Sequence, residues 1–190
     1  MADLIRRHVR HTVRRARQLD RGPRVEYLAF SLAGEAYAAP VSLIREILKP
    51  PALTPVPRAP RTILGIISVR GQLITVIDLR RRLQLAENPQ THRSRILLAA
   101  TSDGPGSEIL GLFVDDVIQV CRLAEAEIES AVPALGGEVA GYITGIARPV
   151  ISRGEIPGQA ADRGERRVWS DNVIILIDLR AVLGRDRPAV

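Results

Sequence analysis

Large apolar positions alternate with small or polar ones along much of the chain, and the period changes mark its elements. From Val25 onward, Leu28, Phe30 and Leu32 alternate with Ala29, Ser31 and Ala33, and Gly34-Glu35 leads into Ala36-Tyr37-Ala38. This spacing predicts a β-hairpin closed by Pro40. Val41, Ile44 and Leu48 lie at helical spacing, while Ile44 to Leu48 fits an extended strand equally well. Lys49 to Pro60 carries five prolines and predicts irregular chain or a sheet edge, because proline brings no amide donor. The strongest pattern is Ile63 to Arg80, two β-branched runs meeting at Arg70-Gly71, where glycine supplies the positive φ of a tight turn. Further strands follow at Arg95 to Ala100, Ile109 to Val114 and Val117 to Val120, with Ser102-Asp-Gly-Pro-Gly-Ser107 as the turn between the first two. Many short strands at this spacing predict a mainly β fold, as barrels or a sandwich.

An internal repeat sharpens the expectation. Gln72-Leu-Ile-Thr-Val-Ile-Asp-Leu-Arg-Arg-Arg-Leu83 matches Asn172-Val-Ile-Ile-Leu-Ile-Asp-Leu-Arg-Ala-Val-Leu183 at six of twelve positions, and Ile63-Leu-Gly-Ile66 aligns with Ile143-Thr-Gly-Ile146. Two related β units are implied. The offset is 100 residues for the first pair and 80 for the second, so about twenty extra residues fall within a glycine-rich and charged stretch of the second copy, at about 147–171. That stretch predicts a long mobile loop, with Trp169 ending it against the core. Asp78 and Asp178 each follow an apolar strand and precede Leu-Arg, where a carboxylate accepts from the first free amides of a short helix. Asp78, Asp178 and the turn residue Gly71 are therefore read as structural.

Composition changes this picture only at the N-terminus. The net charge of +6 suggests nucleic acid at first sight, but residues 1–24 hold eight arginines against two aspartates and account for all of it. The remaining 166 residues balance. Ala2 to Leu19 lacks Gly and Pro and fits a short basic helix, ended by Gly22-Pro23, so a boundary is expected near residue 24. Such a segment offers weak contact to an anionic membrane or an acidic partner, and a basic β-barrel nucleic-acid binder is the alternative class of function. The alternative lacks an aromatic platform, with two Phe, three Tyr and one Trp in the chain. No apolar run reaches the ~20 residues of a membrane-spanning helix, no apolar stretch of signal-peptide length opens the chain, and one cysteine forms no internal disulfide; a reducing cytoplasm is expected.

Chemistry-bearing residues are sparse. Only His92 lies outside the basic segment, in a polar stretch that favours solvation over catalysis. Zinc spacings, a Walker A loop and G-x-S-x-G are absent from the sequence, so neither metal nor cofactor is expected. Asp115 and Asp116 are adjacent and point to opposite faces of an extended chain, which favours a turn or edge role over a paired acid. Cys121 reads as a small packed residue. Arg70 stands at the tip of an apolar hairpin, either as a solvated turn residue or as a guanidinium free to engage a partner's carboxylate or carbonyl.

Phe30-x-Leu-x-Gly-Glu-x-Tyr37, Ile44-Arg-Glu-Ile47, Val56-Pro-x-x-Pro60, Gly65-Ile-Ile-Ser-Val-Arg-Gly71, Val76-Ile-Asp-Leu-Arg80 and Val114-Asp-x-Val117 occur in the order of the CheW family of chemotaxis coupling proteins, which the chain resembles from about Glu26 to Leu183. Ser68 and Val69 replace the family's usual Asn and Leu, and Thr75 its Pro. The resemblance implies two packed five-stranded SH3-like β-barrel subdomains with short helices, spanning residues 25–186 between the basic extension 1–24 and a tail at 187–190. It also implies a non-enzymatic adaptor joining methyl-accepting chemoreceptors to the regulatory domain of a CheA-type histidine kinase. Ile44, Glu46 and Arg70 fall at the family's partner-contact positions, with Leu53, Thr54 and Gly65 beside them.

Overall fold

The computed structural model describes residues 22–101, 107–130, 141–148 and 173–184. The basic segment before residue 22, nearly all of the 147–171 loop with Trp169, most of the turn after Ser102 and the 187–190 tail lie outside the described residues. The strands are β1 (Arg24–Leu32), β2 (Glu35–Pro40), β3 (Ile44–Leu48), β4 (Ile63–Val69), β5 (Gln72–Asp78), β6 (Arg95–Ala100), β7 (Ile109–Val114), β8 (Asp116–Ala124), β9 (Ile128–Glu129), β10 (Ile143–Ala147) and β11 (Ile174–Ile177). Two short helices follow their capping aspartates, α1 (Leu79–Arg82) and α2 (Leu179–Gly184).

The strands form a six-stranded sheet in the order β8-β1-β2-β11-β10-β9 and a five-stranded sheet in the order β3-β6-β7-β5-β4. The chain begins in the first sheet, crosses to the second through a 3₁₀ turn at Val41–Leu43, returns at Asp115 between β7 and β8, and ends in the first. The stretch compatible with helix or strand is thus divided, one 3₁₀ turn and then strand β3. Strand β8 runs on to Ala124, past the expected end at Val120, because its backbone pairs with β1 from Asp116 opposite Ser31 to Ala124 opposite Arg24.

The sequence repeat is a structural repeat. β4 and β10 each pair antiparallel with the following strand and shift register after Ile63 and Ile143 respectively. β5 then runs parallel to β7, and β11 parallel to β2. The amides of Asp78 and Asp178 each donate over 2.8 Å, to the carbonyls of Thr62 and Tyr142. One difference between the copies adds a sixth strand to one sheet, beyond the five expected of each subdomain. In the second copy Ile146 pairs on its outer side with Glu129 of β9, whereas the equivalent Ile66, paired with Thr75 on one side, meets only the isolated bridge of Thr54 on the other. Pro55 and Pro57 follow Thr54 and have no N–H to extend that bridge into a strand.

Burial divides into three clusters. Leu28, Phe30 and Leu32 of β1 meet Leu97, Ala99 and Leu112 of β6 and β7 in a core between the sheets. A second cluster (Ala29, Ala38, Leu123, Leu176) lies on the other face of the six-stranded sheet, and a third (Ile67, Ile74, Ile96, Phe113) on the other face of the five-stranded one. All the strands but β4, β9 and β10 therefore carry apolar residues on both faces, which is why many read as continuous apolar runs.

Two equivalent glycines admit the chain crossing over each repeat. A Cβ on Gly65, whose φ is +152°, would lie 2.5 Å from the Thr54 carbonyl oxygen; one on Gly145 would meet the Ile128 Cγ2 methyl at 2.6 Å. The Thr54 carbonyl accepts from the Ile66 amide while the Thr54 amide donates back to the Ile66 carbonyl, so this backbone yields less than the Ile128 methyl, behind which the Glu129 carbonyl oxygen stands 3.0 Å from a Gly145 Cβ. Gly65→Ala is expected to cost about 1–3 kcal/mol and Gly145→Ala less, measured as urea unfolding midpoints at constant m.

Candidate partner-binding surface

The Asp-Leu-Arg motif following β5 builds an ionic cluster that sequence reasoning missed. Asp78 caps α1 by accepting from the Arg80 amide at 2.9 Å, and the Arg80 side chain folds back onto it, Nε to Oδ1 at 3.1 Å and Nη2 to Oδ2 at 3.0 Å. Arg80 Nη1 reaches Asp115 Oδ1 at 2.9 Å and the Asn88 carbonyl at 2.6 Å, and the guanidinium carbon lies 5.1 Å from the Phe113 ring centroid. The side chains of Asp78 and Arg80 are only 1% and 6% exposed. Burial works against the charge on Arg80, but the hydrogen bonds it donates to Asp78 and the attraction of Asp78, Asp115 and Glu87 more than offset it and raise its pKa above the ordinary arginine value.

Asp115 carries the cluster into the other sheet. Its Oδ2 accepts from the Ala33 amide at 2.7 Å, and its own amide donates to the Ser31 carbonyl at 3.0 Å. Ala33 sits in the β1–β2 turn at φ 51°, followed by Gly34 at φ 95°. The second copy uses its motif differently. Asp178 caps α2 through the amides of Arg180 and Ala181, at 2.8 and 3.2 Å, while the Arg180 side chain is exposed.

The residues singled out for partner contact all belong to the five-stranded sheet and its approaches. Arg70 Nη2 lies 3.1 Å from Glu46 Oε2, an ion pair joining the β4–β5 turn to β3, the strand at the opposite end of that sheet's ladder. The Arg70 side chain remains 81% exposed, so the pair sits in solvent and contributes at most about 1 kcal/mol. Its turn asks for more than Gly71: both residues have positive φ, 51° and 83°, the primed geometry that follows the twist of a two-residue hairpin. Arg70 adopts it without glycine's freedom, at a cost of about 1 kcal/mol. Leu53, Thr54 and Gly65 form a second group at the chain crossing, with Gly65 buried beneath Thr54. Ile44 packs half-buried against the core between the sheets.

Further exposed aliphatics went unnoticed in the sequence. Leu73 on β5, directly opposite Ser68, is 77% exposed. Ile47 on β3 and Val120 on β8 are also exposed, and each lies on the outer strand of its sheet. Ile47 pairs with Leu97 and Val120 with Leu28, two residues of the shared core. Strand order, not sequence, makes them equivalent. Among the described residues no three His, Cys, Asp or Glu side chains converge as metal ligands, and no helix is long and apolar enough to cross a membrane.

The described chain is thus a duplicated pair of sheets with open outer strands, exposed aliphatics and a displayed ion pair. The CheW-like domain family matches residues 26–156, and the chain belongs to that family. Relatives include the chemotaxis protein CheW of Helicobacter pylori, 30% identical over 60% of this chain and 67% of the relative, and the protein FrzA of Myxococcus xanthus, 32% identical over 62% and 70%. Among solved structures, the scaffolding protein TtCheW of Thermoanaerobacter tengcongensis superposes with a TM-score of 0.67 at 27% identity, covering 88% of this chain and 98% of that one.

Removing Arg80 strips the buried Asp78 of its close partner and leaves only Arg81 Nε, at 3.8 Å, whereas Arg180 is exposed. Arg80→Ala is expected to cost about 3–5 kcal/mol in chemical denaturation, and Arg180→Ala less than about 0.5 kcal/mol. Cys121, the sole cysteine, has its Sγ 3.7 Å from the Tyr27 carbonyl, and burial pushes its thiol pKa up against the lowering effect of a backbone hydrogen bond. Less thiolate then forms at any given pH, so alkylation by iodoacetamide at pH 8 is expected to run several-fold slower in the native protein than in urea.

Proposed function

We propose that this chain is a non-enzymatic adaptor that couples methyl-accepting chemoreceptors to a CheA-type histidine kinase in a chemotaxis-like signalling system. The observation that carries this reading is the family match over residues 26–156, joined to a fold that covers nearly all of the scaffolding protein TtCheW. Residues 25–186 are the adaptor module. Residues 1–24 are a basic extension suited to weak contact with anionic lipid or an acidic partner at the cytoplasmic side of membrane-bound receptors. No specific nucleic acid is among the proposed partners.

The physics of the surface suits the role. A receptor tip is an antiparallel helical hairpin with an apolar stripe, which the seam between the two sheets accepts by burial. Arg70 and Glu46 at the rim set orientation and exclude wrong partners through charge, with Ile44, Leu53 and Thr54 supplying neighbouring contact. Gly65 acts indirectly, by letting the Thr54 segment lie close over β4.

The Glu46–Arg70 pair adds little stability, so its removal separates binding from folding. Arg70→Glu places two carboxylates side by side and is expected to leave thermal unfolding nearly unchanged while weakening a receptor hairpin or kinase regulatory domain by about tenfold or more in calorimetric titration. Wild-type affinity for both partners in the folded variant would remove Arg70 from the surface.

A further inference from the structure

The same Asp-Leu-Arg sequence occurs in both copies, and each aspartate caps its helix. The cap therefore does not require the arginine side chain to be buried. Arg80 is buried all the same, and beyond the cap of its own helix it reaches the Asn88 carbonyl and Asp115. Asp115 stands where the chain leaves the five-stranded sheet for the six-stranded one, and it holds the β1–β2 turn through both Ser31 and Ala33. From the same helical turn Arg82 crosses to the second copy, its Nε and Nη2 donating to the Val182 carbonyl of α2 at 3.1 and 2.9 Å, and its guanidinium carbon lies 5.7 Å from the Tyr142 ring.

We infer that Arg80 is a positioning residue for partner docking: by bridging Asp78 to Asp115 at the crossing between the sheets, it fixes how the two sheets face one another and so sets the shape of the seam that a receptor hairpin enters. This rests on the adaptor reading for its partner, though not for its geometry. Apolar packing between the sheets is non-directional and tolerates small rotations. A guanidinium fork on one carboxylate, with its remaining nitrogen on a second, is directional and tolerates few. Lysine keeps the charge but has no fork to hold both carboxylates in one plane. Partners that touch only one sheet do not sense this angle; a partner lying across both does.

The test uses the full chain with two mild variants, Arg80→Lys and Asp115→Asn, and Arg180→Lys as the control from the second copy. Spin labels on Val25→Cys in β1 and Ser68→Cys in β4, in a Cys121→Ala background, report the distance between sheets by pulsed electron resonance; binding of a receptor hairpin is measured by calorimetry below the unfolding temperature. The inference expects both variants to broaden the distance distribution and to lose about tenfold in receptor affinity, with the control unchanged in both. Should Arg80→Lys fail to fold, Asp115→Asn decides alone. Unchanged distance and affinity overturn the inference, as does a broadened distance with wild-type affinity. If wild-type protein binds no receptor hairpin, the adaptor reading fails instead, and with it the docking role, while the distance measurement still decides whether Arg80 fixes the sheets.

Discussion

A buried guanidinium between two carboxylates is the constraint on which the arrangement of the sheets depends. The core between the sheets supplies most of the burial, but leucines and alanines interlock without choosing one angle of approach. Arg80 has its Nε, Nη1 and Nη2 engaged at once, by Asp78, Asp115 and Asn88, and Asp115 uses both oxygens and its amide. Satisfying them all leaves little latitude. A cluster so buried is costly when broken and directional when whole, which is why it specifies geometry rather than adding bulk stability.

Duplication explains the rest of the architecture and divergence explains its asymmetry. Both copies keep the hairpin, the register shift after the first isoleucine, the glycine beneath the crossing chain, the capping aspartate and the parallel partner strand. They differ where the crossing chain is proline-rich in one and strand-forming in the other, and where one arginine is buried and its counterpart exposed. The shared features are those a β unit needs to fold. The differing ones give each sheet its own outer surface, with the Glu46–Arg70 pair at the end of one sheet and the Glu26–Arg122 pair, at 2.7 Å, on β1 and β8 of the other.

Most strands were legible because their apolar periodicity survives on both faces, and the two capping aspartates because the motif repeats. The C-terminal end of β8 was not: Arg122 interrupts the apolar run, and only pairing across to β1, including Arg122 with Glu26, carries the strand to Ala124. Arg80 was invisible for a different reason. In sequence it is indistinguishable from Arg180, and the residue that draws it inward, Asp115, stands 35 positions away. Ile47 and Val120 share no flanking motif and become counterparts only through strand order. Of the residues named for partner contact, the neighbourhood of Glu46 and Arg70 needed the structure, since a strand and a hairpin tip at opposite ends of a ladder meet only when the sheet curls.

As proposed, one small β scaffold engages a receptor and a kinase at once through surfaces on a rigidly held pair of sheets. Sedimentation velocity on an equimolar mixture of this chain, a receptor hairpin and a kinase regulatory domain tests that directly. A single boundary containing all three supports it; binary complexes that exclude one another, or three separate species, contradict it.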